Sequence, residues 1–166
     1  MNKQASNIFA VEKLMAETRR LAAEYYQATQ QTLPVSNELA KYDACRLLSL
    51  KEAQQHPGTG VDAIDSENKR YQIKSRVIFQ PKKSGYRIGQ LNIEGEWDNV
   101  VLVLMDHTYH PFEIYQVSRE SILDELSQKT NPQRSKRGAM SVAKFKALGK
   151  LVWSNAHDTD HDLPSI

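Results

Sequence analysis

The chain has 166 residues, of which 40% are hydrophobic and 25% are charged, and its net charge is +2. This composition is that of an ordinary globular domain, and a chain of this length can bury a hydrophobic core without disulfides. The single cysteine, Cys45, excludes an internal disulfide and a cysteine-based zinc site, and we expect it in the core.

The longest strongly apolar run, residues 100 to 105, is much shorter than the about 20 residues of a membrane span. The N-terminal residues are interrupted by charges and lack the apolar core of a secretory signal. We therefore expect a cytoplasmic protein with no membrane partner. A single domain over residues 1 to 155 is predicted, followed by a flexible tail of acidic and histidine residues over 156 to 166.

Two helices are predicted at the start of the chain. Apolar residues recur at helical spacing over residues 7 to 30, with Ser6 available as the N-cap. A second helix is predicted from residue 36 or 37 to residue 50, and its apolar residues cover most of its circumference, so we expect it to be largely buried. Its narrow polar stripe contains Glu38, and a carboxylate on such a helix suggests a function.

Beyond residue 60 the pattern changes from helical to extended. Residues 61 to 64 predict a short strand, residues 65 to 69 a turn, and residues 70 to 79 a longer strand, so that the segment forms a hairpin. The later predicted elements are strands over 86 to 93, 100 to 105 (buried on both faces) and 112 to 117, and helices from Ser118 to about residue 128 and from Ser141 to Leu148.

The hairpin contains the residues that suggest chemistry. Gln72 and Lys74 share one face of the second strand, and Asp62 lies on the first strand. Opposed side chains in a hairpin are about 5 Å apart, so Asp62 can approach both. Asp65 points to the opposite face from Asp62 and is expected to be a turn residue. Such a group suits a divalent-cation site for phosphodiester hydrolysis, although the same spacing also fits an ordinary solvated sheet face.

Residues 60 to 75, GVDAIDSENKRYQIKS, resemble the core of the PD-(D/E)XK nuclease superfamily, which has the restriction-endonuclease-like fold. The chain most resembles the Mrr-type branch, in which glutamine replaces the second acid, and the matching residues are Gly60, Asp62, Gln72 and Lys74. It also resembles small bacterial members whose role is not known. The resemblance implies an α/β domain in which a mixed β-sheet is flanked by α-helices around an αβββαβ core.

The resemblance also implies a Mg²⁺-dependent endonuclease acting on DNA, with Mn²⁺ as an alternative cation. Asp62 would bind the metal and Lys74 would be the catalytic lysine. Gln72 would contribute its amide oxygen, Ile73 its backbone carbonyl, and Glu38 the helix-borne acid that binds metal or positions water. Because glutamine is neutral, Asp62 and Glu38 would be the only formal negative charges, so we expect weak metal affinity without bound phosphate.

Charge is segregated along the chain. Residues 69 to 90 and 129 to 150 each carry seven basic and no acidic side chains, whereas residues 91 to 128 carry eight acidic side chains and one basic one. The two basic blocks would form a surface for a phosphate backbone if the fold brings them to one face, and are otherwise solvated loops. The residues expected to contact phosphates are Arg76, Lys82, Lys83, Arg134, Lys136 and Arg137.

Two alternatives to cleavage are open at this stage. The same scaffold can bind nucleic acid without cutting it, and the basic blocks of a protein-interaction subunit could meet an acidic partner, such as residues 91 to 128 of another protomer. The sequence does not separate RNA from DNA as the nucleic acid. A homodimer is a further expectation, because restriction-type enzymes often dimerise to cut two strands.

Overall fold

The computed structural model describes residues 3 to 54, 58 to 128 and 138 to 156. Within these ranges the chain forms a mixed β-sheet with helices on both faces, which confirms the predicted α/β class. The helices are α1 (Lys3–Thr29), α2 (Ser36–Leu47), α3 (Arg119–Ser127) and α4 (Val142–Leu148). The strands are β1 (Lys51–Glu52), β2 (Ala63–Ile64), β3 (Arg70–Val77), β4 (Asn99–Met105), β5 (Pro111–Ser118) and β6 (Lys150–Ser154).

The strands lie side by side in chain order, from β1 at one edge to β6 at the other. Strands β3 and β4 are parallel, and the other neighbouring pairs are antiparallel. A parallel pair requires a crossover between its strands, which residues 78 to 98 provide here. Every residue of β4 from Val100 to Met105 is buried, so the prediction of a strand buried on both faces is confirmed.

The sheet separates two hydrophobic cores. On one face, Val101 of β4 packs in a cluster with Leu39 of α2. On the other face, Leu102 packs with Ile122 of α3 and Phe145 of α4. The alternation along β4 thus divides the helices into an α1–α2 layer and an α3–α4 layer, as the period of two in a strand requires. In the described part of the chain, no helix is both long and apolar enough to span a membrane.

Helices α3 and α4 begin where the sequence predicts. The hydroxyl of Ser118 accepts a hydrogen bond from the backbone N–H of Ser121, and the hydroxyl of Ser141 accepts one from Lys144. Each serine satisfies an N–H group that has no partner within its helix, which is the usual reason for serine at this position.

The predicted boundaries of the first two helices need correction. Helix α1 begins at Lys3, so Ser6 lies inside the helix and is not its N-cap. Helix α2 ends at Leu47, because Ser49 adopts a positive φ of 54° that a helix cannot continue. Helix α2 is also less buried than predicted, since only one side of it packs on the sheet.

The strand predicted over residues 86 to 93 is wrong. This segment makes one isolated bridge, between Arg87 and Ser141, and otherwise runs as an irregular connection. The physical reason is that β4 occupies one edge of β3, while the other edge pairs with β2 at Arg70 and Tyr71 and is bonded by the Asp62 carboxylate at Ile73, so the segment instead meets the start of α4. Strands β1 and β6 were not predicted. Arg134, Lys136, Arg137 and residues 157 to 166 of the predicted tail lie outside the described residues.

A buried ion pair fixes α1 and α2 to each other. Nη2 of Arg19 lies 2.8 Å and 3.0 Å from the two carboxylate oxygens of Asp43, and both side chains are buried. Nη1 of the same arginine donates to the carbonyl of Tyr109 in the turn between β4 and β5. The Arg19 guanidinium therefore joins α1 to α2 and to the turn between β4 and β5.

Replacing Arg19 should be strongly destabilising. Arg19→Met leaves a buried carboxylate whose nearest remaining cation in the described residues is Arg46, 3.5 Å away. We expect the free energy of unfolding to fall by about 3–5 kcal/mol, measured by urea denaturation. The matched control is Arg20→Met, which removes an exposed pair with Glu24 and should cost less than about 1 kcal/mol. Equal losses in the two variants would contradict this account.

Candidate active site

Asp62 lies immediately before β2, where β2 and β3 separate. The paired residues end at Ala63 opposite Tyr71, and the backbone N–H of Asp62 donates to the Tyr71 carbonyl at 2.8 Å. The carboxylate of Asp62 then takes the place of a strand partner, because its Oδ2 accepts a hydrogen bond from the N–H of Ile73 at 2.7 Å. The side chain is thereby held against β3, and only 19% of it is exposed.

The carbonyl of Ile73 shares this edge of β3. In a strand, the N–H and C=O of one residue point to the same side, and the N–H of Ile73 points to Asp62. The predicted pair of oxygen donors, the Asp62 carboxylate and the Ile73 carbonyl, therefore lies on one strand edge.

Lys74 follows on the face of β3 that Gln72 also occupies, as the alternation predicts. Burial lowers the pKa of the Lys74 ammonium from its usual value, the nearby Asp62 carboxylate raises it, and the ammonium of Lys41 lowers it again. Lys74 thus lies within electrostatic reach of both Asp62 and Lys41, and it is only partly accessible to water.

Helix α2 brings two more charged side chains to the same place. The ammonium of Lys41 lies 3.7 Å from Oδ1 of Asp62 and 3.6 Å from Oε1 of Glu38. The start of α2 is held beside β3, because the hydroxyl of Ser75 donates to Oδ1 of Asn37 at 2.7 Å. Glu38 is the most exposed member of the group, at 68%. We call Glu38, Lys41, Asp62 and Lys74 the charged cluster.

Lys41 was missed by the sequence analysis. A signal was available, because Lys41 follows Glu38 by three residues and such pairs are neighbours on a helix surface. The pairing alone, however, does not say which carboxylate of the hairpin the lysine faces. That depends on how α2 lies on the sheet.

Gln72 is buried and is engaged in a structural contact. Its Oε1 accepts a hydrogen bond from the backbone N–H of Asn92 at 3.3 Å, and Nδ2 of Asn92 donates to the Gly58 carbonyl at 2.9 Å. Gln72 therefore connects β3 to the crossover between β3 and β4. An amide oxygen has two lone pairs and can accept a second interaction, so a role as metal ligand stays a prediction.

The predictions for Asp65 and Cys45 are confirmed. Oδ1 of Asp65 accepts hydrogen bonds from the N–H groups of Glu67 and Lys69, as expected of a turn residue. Cys45, a residue of α2, is partly buried against the core. Burial raises the pKa of its thiol to about 11, with further contributions from Glu52 and Asp62, so the thiol is protonated near neutral pH and is a poor nucleophile.

The two basic blocks meet at one point of the fold. The N–H of Ile88 donates to the carbonyl of Met140, and the N–H of Val142 donates to the carbonyl of Tyr86. A cleft of about 420 Å³ beside this junction is lined by a lysine from each block, Lys83 and Lys146. The guanidinium of Arg76 lies nearby, 5.4 Å from the ring centre of Tyr86.

The acidic segment, residues 91 to 128, neutralises several of these cations within the same chain. Three of the pairs formed with it are Arg70 with Asp98 at 3.2 Å, Lys144 with Glu125 at 3.4 Å, and Lys146 with Glu113 at 3.0 Å. Arg76, Lys82 and Lys83 are exposed, and they continue from Lys74 along the first basic block. Of the predicted phosphate contacts in the described residues, these three are the ones available to a ligand.

The carboxylates of the charged cluster are of the type that binds Mg²⁺ together with a phosphate. Among the described residues, no three acidic, histidine or cysteine side chains are grouped so that they could hold a metal by themselves. Asp62 and Glu38 nevertheless provide carboxylate oxygens that contact the same ammonium. Mg²⁺ is commonly bound by one or two carboxylates together with water and substrate phosphates, and this donor set matches that pattern.

Neither a protein-family model nor a curated protein matches this chain. The geometry of the charged cluster, together with the pattern of residues 60 to 75, is therefore the basis for assigning a function.

Gly60 should be essential to this arrangement. Its φ is +65°, and a Cβ atom there would lie 2.9 Å from Nε2 of Gln72. Gly58 also has a positive φ, +85°, but a Cβ atom there would meet nothing within 4 Å. We expect Gly58→Ala to cost about 1–2 kcal/mol of unfolding free energy through backbone strain alone, and Gly60→Ala to cost about 1–3 kcal/mol more. Urea denaturation of both variants tests this, and equal costs would show that Gln72 is not held against Gly60.

Proposed function

We propose that this chain is a Mg²⁺-dependent endonuclease that acts on DNA, with the charged cluster as its active site. The observation that carries the proposal is the position of the Asp62 carboxylate in the gap between β2 and β3. There it lies next to Lys74 of β3 and is joined to Glu38 of α2 through Lys41. The resemblance of residues 60 to 75 to the PD-(D/E)XK pattern supports the same reading.

Each residue of the cluster has a distinct task in this proposal. Asp62 and Glu38 would hold the cation, with the Ile73 carbonyl and the Gln72 amide as further oxygen donors. Bound there, Mg²⁺ would neutralise charge on the scissile phosphate and lower the pKa of the attacking water. The hydrogen bond from Ile73 orients the Asp62 carboxylate, which leaves its other oxygen directed toward Lys41.

Lys74 orients the attacking water and stabilises negative charge that develops on the phosphate. Its pairing opposite Leu102 of β4 fixes its backbone, and its partial burial strengthens its electrostatic interaction with the phosphate. Arg76 lies two residues further along the same face of β3, about 6.6 Å away at the usual rise of a strand. It would contact a neighbouring phosphate, followed by Lys82 and Lys83.

A second candidate function is a non-catalytic nucleic-acid-binding module. Two observations favour it: Gln72 is neutral where many nucleases of this type have an acid, and its oxygen already has a backbone partner. The same basic side chains would then bind the phosphate backbone without cleavage. An interaction with the acidic segment of another protomer has less support, because that segment is paired within its own chain.

Lys74→Met should lose the ability to cut DNA while the protein stays folded. The substitution keeps most of the side-chain volume and removes the ammonium, so we expect the rate of plasmid cleavage in Mg²⁺ or Mn²⁺ to fall about 100-fold or more. Asp62→Asn should have a comparable effect. The measurement is the conversion of supercoiled plasmid to nicked and linear forms, with circular dichroism as the test of folding.

The control is Lys13→Met, which makes the same chemical change on the exposed surface of α1. Its cleavage rate should equal that of the wild type. Equal cleavage by the wild type and the Lys74→Met variant would refute the proposed active site, since a contaminating nuclease would then be the simplest source of the activity.

Binding to DNA should weaken as salt increases. Each phosphate contact contributes a slope of about −0.9 in log affinity against log salt, so Arg76→Gln should reduce the magnitude of the slope by about that amount. Fluorescence anisotropy with labelled duplexes of two unrelated sequences measures it, with Arg20→Gln on α1 as the control. Salt-dependent binding without any cleavage by the wild type would favour the second candidate. An unchanged slope would exclude Arg76 from the interface.

A further inference from the structure

We propose that Lys41 is a counter-ion built into the active site, which competes with the divalent cation for Asp62 and Glu38. This inference rests on the proposed function, because it assigns a regulatory role to a residue of the same site. Its consequence is that the cation binds strongly only together with a substrate phosphate, which can accept the displaced ammonium.

The first support is the position of the Lys41 ammonium between two carboxylates. Its distances to Asp62 and Glu38, 3.7 Å and 3.6 Å, are nearly equal. Both exceed the about 2.7–2.9 Å of a charge-assisted hydrogen bond, so the ammonium is shared between the two acids and is not bonded tightly to either. A cation that binds both acids therefore competes with Lys41 for the negative charge of the same two carboxylates.

The second support is that the Asp62 carboxylate is held in place, whereas the Lys41 side chain has conformational freedom. Asp62 is oriented by the N–H of Ile73, and the backbone of α2 is fixed by the ion pair between Arg19 and Asp43. The ammonium of Lys41, in contrast, is at the end of a flexible four-carbon stem, and the side chain is 21% exposed. The ammonium can therefore leave the carboxylates without any movement of the backbone.

The third support is the charge balance of the cluster. Glu38 and Asp62 contribute two negative charges, and Lys41 and Lys74 contribute two positive charges, so a free divalent cation meets no net negative charge. A phosphate brings negative charge of its own and can pair with the displaced ammonium. Lys41 thereby makes cation binding depend on an anionic substrate.

The test is a titration of the protein with Mn²⁺ alone, in which the electron paramagnetic resonance signal of the free ion reports binding. Lys41→Met should bind Mn²⁺ about tenfold more tightly than the wild type, because a unit positive charge about 4 Å from the ligand oxygens is removed. Lys144→Met is the matched control, since it also removes one positive charge, here paired with Glu125, but lies on α4, on the opposite face of the sheet from α2. It should bind as the wild type does.

A second substitution locates the effect. Adding Asp62→Asn to the Lys41→Met variant should abolish the gain in affinity, and Lys41→Gln serves if the methionine variant is not folded by circular dichroism. An affinity of the Lys41 variants equal to or lower than that of the wild type would overturn the inference, and so would an equal gain in Lys144→Met. Plasmid cleavage by the wild type is read separately, so the proposed function can stand while this inference fails.

Discussion

The arrangement of the site depends on one backbone N–H group, that of Ile73. Where β2 separates from β3, this group loses its strand partner, and a buried N–H without a partner is costly. The carboxylate of Asp62 satisfies it at 2.7 Å. A requirement of the sheet therefore fixes the orientation of an acid, and the same acid is then available, through its second oxygen, to the charged side chains around it. The hydrogen bond from Ile73 to Asp62 therefore serves both the pairing of the sheet edge and the proposed chemistry.

The charged cluster also shows how a partly buried ammonium can be kept when no anionic ligand is bound. Burial lowers the pKa of Lys74, which means that its ammonium is less well solvated than one in water. The Asp62 carboxylate offsets part of that penalty, whereas the ammonium of Lys41 adds to it. Lys41 is placed beside the hairpin by α2, and α2 is itself held in place by the buried pair of Arg19 and Asp43. The electrostatics of the site therefore depend on packing between two helices.

Much of the fold could be predicted because the patterns that encode it are local. The alternation along β3, the apolar run of β4 and the serine caps of α3 and α4 each reflect contacts that a strand or helix makes whatever its neighbours. The strand predicted over 86 to 93 was wrong because the outcome depended on what bonds the edges of β3, which are β4 on one side and β2 with the Asp62 carboxylate on the other. Lys41 was missed for a related reason: its partner on the hairpin is determined by the angle of α2 on the sheet, which no local pattern records. Asp62 and Lys74, in contrast, are close in a hairpin and could be paired from sequence.

The parallel pairing of β3 with β4 has a consequence for how the molecule assembles. A hairpin such as β2–β3 can form its hydrogen bonds progressively, starting at its turn. Strand β4 can pair with β3 only after residues 78 to 98 have closed into a loop. Within this crossover, the backbone N–H of Asn92 donates to the side-chain oxygen of Gln72. Loop closure of this kind slows folding, and β4 is the most apolar strand of the described sheet. During synthesis and refolding, this strand is therefore the segment whose transient exposure most favours aggregation.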